Sequence, residues 1–247
     1  ITPYTVIEKD GVRFAVFGLF GKDADETAPM SGMVLNDPVE TAKQIVADIQ
    51  KKEDYDYLIC LSHSGTDGKG GGEDVELAKA VDGIDVIISG HTHFNTNVCF
   101  NDSLMEHNTA AVCGTWWRAD INVDGTPRGY GIYEVNGDQL KWIYKSAGYP
   151  LEHQFHAYPA GSSDEYPSDI IANVWNWDDL WKVEWYENGQ RMGEMQKYKG
   201  YDPMAKVICS DKEKVKYDWI SPVLTEHLFH ATPHDPNARL EIKVTDR

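Results

Sequence analysis

Two histidines one residue apart, His91 and His93, follow the β-branched run Val86-Ile87-Ile88 and a Ser89-Gly90 break in the segment IISGHTHF. The run reads as a buried strand, so the pair sits where a strand ends. Strand residues alternate sides, which would put His91 and His93 on the same side of the chain. Neutral imidazole is the commonest protein ligand for transition metals, so the pair could hold an ion. Standing alone, such a pair is more often two unrelated loop residues. His63 shifts that balance, because it ends another apolar run, Tyr57-Leu58-Ile59-Cys60-Leu61-Ser62. Functional groups gather beyond the carboxyl ends of strands in α/β domains. With one helix between them, the two strands are expected to be parallel neighbours, and three histidines would meet on one rim.

The elements that must position that rim are legible in the first ~150 residues. Residues 12–20 (VRFAVFGLF) form a strand candidate. Residues 37–52 carry a complete helix start: Asp37 as N-cap, Pro38 at the first helical position, then apolar residues at Val39, Ala42, Ile45, Val46 and Ile49. Strand 57–64, short helix 73–81 and strand 84–90 follow. This alternation predicts an α/β domain with a largely parallel sheet. After the strand-like AAVCGTWW comes a hairpin turning at Asn136-Gly137. The Pro-, Gly- and Ser-rich stretch near 148–168 reads as a linker, giving domains of 1–150 and 151–247. Beyond it helix patterns are scarce, and short strands with a turn at Asn188-Gly189 predict a small β-sandwich.

Bulk properties narrow the partners. The chain has 247 residues, enough for one large domain or two ordinary ones, and its 41% hydrophobic and 11% aromatic content describes a folded protein rather than a disordered one. A formal net charge of −17 argues against a nucleic-acid polymer. A small phosphorylated substrate stays open, since bound cations can supply the positive charge locally. No apolar run approaches a membrane span. The opening ITPYTVIEKDG carries no signal peptide, so the expectation is a targeting segment that is absent or already removed. The cysteines, Cys60, Cys99, Cys113 and Cys209, lack zinc-site spacing; Cys60 and Cys113 read as buried thiols in strand-like runs.

The blocks LSHSG and GIDVIISGHTHF resemble the second half of a calcineurin-like metallophosphoesterase domain, and PYTVIEKDGVRFAVFGLFG is most similar to its 5′-nucleotidase-type branch. From EHNTAAVCGTWW through IANVWNWD to HLFHATP and KVTDR, the chain is similar to bacterial members with a C-terminal β domain. The resemblance implies part of the phosphoesterase β-sandwich with flanking helices, followed by a small all-β sandwich. It implies a phosphomonoesterase or phosphodiesterase with two divalent ions (Mn, Fe or Zn), His63 and His91 on one metal and His93 on the other. The substrate would be a phosphorylated small molecule or envelope component, in the periplasm or outside the cell. The family's Asp-x-His, Gly-Asp and Gly-Asn-His blocks have no counterpart upstream of these histidines. Gly137-Asp138 is a hairpin turn, and Glu106-His107-Asn108 has the order reversed. No catalytic acid is therefore assigned. The expectation is a C-terminal fragment that needs the missing N-terminal part of the same domain, ahead of a degenerate, inactive member.

Other candidates have competing readings. Trp116 and Trp117 could stack on a substrate base or sugar, although at least one should pack in the core. Asp124 in Asp124-Gly125-Thr126-Pro127 could touch substrate, but a turn needs the same residues. Residues 66–74 (TDGKGGGED) resemble a phosphate loop only in glycine content and read as a flexible loop. His107, His227 and His230 read as structural. The Trp-rich run NVWNWDDLWKVEW could line a glycan groove or fill a core, and the groove reading supports the rival class: a non-catalytic binding module for glycans or envelope components.

Overall fold

The Asp37 carboxylate accepts the backbone N–H of Glu40 at 2.9 Å and starts α1 (Pro38–Lys52) where the sequence predicts it. Ala42, Val46 and Ile49 share one face of that helix and are buried on the sheet beneath. The computed structural model describes residues 2–22, 24, 32, 34–65, 71–101, 104–137 and 139–246. Asp138 and residues 66–70 of the glycine-rich stretch lie outside the described residues.

Strands β1 (Tyr4–Lys9) and β2 (Val12–Phe20) pair antiparallel ahead of α1. Next come β3 (Tyr57–His63), α2 (Glu73–Ala80), β4 (Val86–Ser89), β5 (Thr96–Cys99) and β6 (Met105–Asn108). They form one six-stranded sheet of order β1-β2-β3-β4-β6-β5. Within it β2, β3, β4 and β6 run parallel, as the strand–helix alternation predicts. Phe17, Leu58, Cys60 and Ile87 of the strands pack with α1 and with Leu77 of α2.

The later strands are β7 (Gly129–Asn136), β8 (Gln139–Ser146), β9 (His156–Tyr158), β10 (Ile170–Asn173), β11 (Lys182–Glu187), β12 (Gln190–Glu194) and β13 (Gln196–Tyr201). Helix α3 (Pro203–Ser210), β14 (Leu224–Ala231) and β15 (Leu240–Thr245) complete the chain. The β7–β8 hairpin stands beside two sheets, β13-β14-β10-β9 and β12-β11-β15. Ile170, Ala172 and Phe229 from one sheet share a core with Val183 and Trp185 from the other. This is the small β-sandwich expected from the strand spacing.

The division of the chain differs from the expected cut at 150. The compact units are 1–92 with 97–109, and 93–96 with 110–247. Segment 110–150 belongs to the second unit because its contacts lie there. Ala110 and Tyr144 are buried with Trp175, Gln154 Nε2 donates to the Tyr144 carbonyl at 2.6 Å, and Asn173 Nδ2 donates to the Asp124 carbonyl at 2.9 Å. The supposed linker contributes β9 to a sheet. AAVCGTWW is a series of turns rather than a strand, so Cys113 is half-buried instead of sealed in a core. Helix α3 is an addition to the expected all-β region. It starts with the same Asp-Pro signature as α1, Asp202 accepting the Ala205 N–H at 2.9 Å.

Candidate functional site

The parallel register aligns Phe20 with His63, Ser62 with Ser89, and Ser89 with Asn108 along the carboxyl ends of β2, β3, β4 and β6. His63 is the last residue of β3, and His91 lies in the turn two residues beyond β4. Their rings meet: His63 Nε2 and His91 Nδ1 are 3.2 Å apart, with the ring planes inclined by 66°. Partial burial, and then the neighbouring His91, hold the His63 imidazole below its ordinary pKa, which favours the neutral, lone-pair-bearing form.

The loops beneath are tied together. Asp74, buried in α2, accepts the Ser62 hydroxyl at 2.6 Å and the Gly65 N–H at 2.9 Å. Gly65 sits at φ +84°, and a Cβ there would come within 3.1 Å of Thr92 Cγ2 and 3.3 Å of Ser89 Oγ. That close approach, together with the positive φ, explains the glycine after His63-Ser64. Asn108 Nδ2 donates to Thr92 Oγ1, bracing the turn next to His91. Ser89 Oγ and Asn108 Oδ1 are buried without a hydrogen-bond partner among the described residues.

His93 has a different environment from the one strand alternation predicts. The chain is already turning, and His93 takes φ 59°. Its ring stacks on Trp116 at 4.7 Å with a 19° interplanar angle, and its Nδ1 is 3.9 Å from Cys113 Sγ. Trp116 and Trp117 also adopt left-handed backbone, φ 46° and 63°. Bulky residues seldom do so; each such position costs of order 1–3 kcal/mol, and such strain clusters at functional sites. Trp116 packs on Val123, Cys209, Val215 and Ile220, whereas Trp117 is 73% exposed. Trp219 meets Trp116 edge-on at 4.9 Å, and Tyr217 stacks on Trp219 at 5.7 Å. These last two rings escaped the sequence reading. Their signal is the alternation in Lys216-Tyr217-Asp218-Trp219-Ile220, where buried Val215 and Ile220 flank a polar run carrying two exposed aromatics.

Asp124 is a correction to the substrate-contact expectation. It is 0% exposed and accepts from the Asn95 N–H at 2.9 Å, the Thr126 N–H at 3.0 Å and the Thr126 hydroxyl at 2.6 Å. A carboxylate so enclosed organises its own turn and reaches no ligand. His227 Nε2 lies 3.3 Å from Asp124 Oδ2, and its Nδ1 pairs with Asn173 Oδ1 at 2.7 Å. His230 Nδ1 pairs with Asp169 at 2.6 Å. The glycan-groove expectation also gives way for the Trp-rich run: Trp175, Trp181 and Trp185 are buried, and Trp177 packs on Phe229. A surface groove needs exposed rings, and these fill a core.

Among the described residues no group of three or more His, Cys, Asp or Glu is gathered to hold a metal ion. The 3.2 Å separation of His63 Nε2 and His91 Nδ1 matches a hydrogen bond between the rings and also matches two ligands of one ion. Nitrogens about 2.0–2.1 Å from a shared metal, at right-angled to tetrahedral separation, stand about 2.8–3.4 Å apart. The orphaned Ser89 and Asn108 oxygens at the ends of β4 and β6 offer hydrogen bonding to a hydrated cation.

A family model described as the C terminal of calcineurin-like phosphoesterase matches residues 106–247. The trifunctional nucleotide phosphoesterase protein YfkN of Bacillus subtilis is 45% identical over 94 residues, 38% of this chain and 6% of that protein. The 5′-nucleotidase of Vibrio cholerae is 32% identical over 100 residues, 36% of this chain and 18% of that protein. The chain therefore spans only a small part of these relatives. The crystal structure of the B. subtilis calcineurin-like phosphoesterase YfkN aligns over 60% of this chain and 52% of that one, at 23% identity and a TM-score of 0.37.

Proposed function

The chain belongs to the calcineurin-like phosphoesterase family whose model covers the C-terminal region, and we propose that it forms part of a metal-dependent hydrolase of phosphomonoesters or phosphodiesters. The observation that carries this reading is the 3.2 Å approach of His63 Nε2 and His91 Nδ1 at the carboxyl ends of adjacent parallel strands. His63 and His91 would hold one divalent ion, Mn, Fe or Zn. The resemblance assigns His93 to a second. Bound ions in such centres supply a water activated at neutral pH and positive charge for the phosphoryl oxygens.

The chain's own residues do the positioning. Asp74 fixes the loop after His63 through Ser62 and Gly65, and Asn108 fixes the turn at Thr92 beside His91. These bonds hold the backbone next to each histidine. Residues outside this chain complete the donor set in the proposal, since two imidazoles alone leave most of a coordination sphere open. A cell-envelope or extracellular location belongs to the same reading. No described helix is long and apolar enough to cross a membrane.

The test is metal analysis of the full-length protein, with hydrolysis of p-nitrophenyl phosphate and bis-p-nitrophenyl phosphate. Near-stoichiometric Mn, Fe or Zn, lost together with turnover on chelation, is the expected result. Turnover that persists in the metal-free protein would overturn the reading.

A further inference from the structure

From the cleft between the 161–169 loop and the start of α3, all within the second unit, we infer a binding site for one neutral sugar ring. The site is built from other residues than the His63–His91 pair and does not depend on the phosphoesterase reading.

Local sequence makes the walls. Alternation along β13 buries Tyr198 and Gly200 and turns Tyr201, the last strand residue, outward, where it is 44% exposed. The buried Asp202 cap then fixes the first turn of α3, which brings Pro203 and Lys206 into the lining. The facing loop is pinned by its own bonds. The Gly161 N–H donates to the Pro167 carbonyl at 2.9 Å, and the Tyr166 N–H donates to Ser163 Oγ at 3.3 Å. Tyr166 also stacks on His230 at 3.8 Å. Lys206 Nζ donates to Asp164, joining helix to loop. A Cβ on Gly200 would stand 3.3 Å from Glu165 Oε2, so the glycine leaves room for that carboxylate. Walls fixed in this way cost little ordering when a ligand arrives.

Size and lining select the class of ligand. The cleft holds about 210 Å³, below the roughly 300–1,000 Å³ of pockets for drug-sized molecules, which suits a single ring. Charge argues for a neutral one. Asp164 and Glu165 outnumber Lys206, whose ammonium is already paired, so a phosphate would meet net negative charge. Ser162, Ser163 and the exposed Glu165 carboxylate offer the donors and acceptors that adjacent ring hydroxyls require. Tyr201 and the exposed Val207 offer apolar surface for the C–H face of a pyranose. A sugar ring is amphipathic in the same sense, with hydroxyls around its rim and C–H bonds on its faces. The buried Trp-rich run takes no part; the site would attach the second unit to a carbohydrate through this cleft.

The test is saturation-transfer difference NMR of the full-length protein with glucose, mannose, galactose and N-acetylglucosamine. Expected is transfer to the ring protons of at least one of them, with affinity about 5-fold or more weaker in Tyr201→Ala and in Glu165→Ala. Tyr201→Phe keeps the ring and should retain most of the affinity, which separates a lost contact from a lost fold. Tyr217→Ala, an exposed aromatic outside the cleft, should leave binding unchanged. Binding of none of the four sugars overturns the site. So does binding equally tight in both alanine variants, or glucose 6-phosphate displacing the bound sugar at lower concentration than glucose does.

Discussion

The backbone of Gly125 lies against the carboxylate of Asp202 so closely that a Cβ there would fall 2.1 Å from the carboxyl carbon and 2.4 Å from Oδ2. Asp202 has no freedom to withdraw. It accepts from Tyr158 Oη at 2.7 Å, Asn173 Nδ2 at 2.8 Å and the Ala205 N–H at 2.9 Å. Gly125 also has φ +83°. Gly125→Ala should therefore lose about 3 kcal/mol or more, combining left-handed strain with overpacking. Urea unfolding measures it; a loss below about 1 kcal/mol would mean that the turn relaxes.

The same carboxylate gives the protein a pH signature. Burial raises the Asp202 pKa above its ordinary 3.8, outweighing its hydrogen bonds, and the nearby Asp124 raises it further. A raised folded-state pKa favours folding below the unfolded value, and that contribution fades as pH climbs through the folded one. Stability should thus decline as pH rises from about 4, and Asp202→Asn should flatten that decline. Unfolding curves of both proteins from pH 4 to 8 decide it. Parallel profiles would show that Asp202 is already ionised in the fold.

His63→Ala and His91→Ala should each lower metal affinity far more than the 10–100-fold typical of a supporting residue, because each deletes a donor. His107→Gln, on a buried position of β6, should leave metal content near that of the unaltered protein. The readout is metal per chain after dialysis against a graded chelator series. If His107→Gln loses as much metal as His91→Ala, the rim has been assigned to the wrong histidines.

Removing the brace should cost less than removing the ligand. Asn108→Leu deletes the bond to Thr92 Oγ1 and leaves both imidazoles in place. Metal affinity should fall about 10-fold, within the range for groups that orient a ligand. Thr92→Val should give a similar loss. An affinity unchanged in both variants would show that the turn holds His91 without them.

The parts of this architecture that were legible share a local cause. The Asp37-Pro38 start, the apolar face of α1 and the β-branched core strands follow from neighbouring residues alone. The approach of His63 to His91 was readable because strand ends in a parallel sheet are close by construction. His93 was not, since one left-handed residue cancels the alternation that a continuing strand would impose. Asp124 and Asp202 look like surface turn residues in sequence. Their burial depends on Asn173, Tyr158 and His227, up to 103 positions away from Asp124, which no short-range pattern reports. The exposed pair Tyr217 and Trp219 was hidden among lysines, where solvated charge is the ordinary expectation.

The units divide within residues 92–97, and that division bears on the order in which their parts emerge during synthesis. The surroundings of His91 are complete once Asn108 has left the ribosome, because His63, Thr92 and Asn108 all belong to the unit that ends at Thr109. The four residues 93–96 belong with the segment from Ala110 onward. Asn95 donates its N–H to Asp124, whose surroundings include Asn173 and His227 from far downstream in the chain. A nascent chain halted between those points would carry a finished His63–His91 pair and an unfinished His93. The order of emergence would let the two histidine environments mature one after the other.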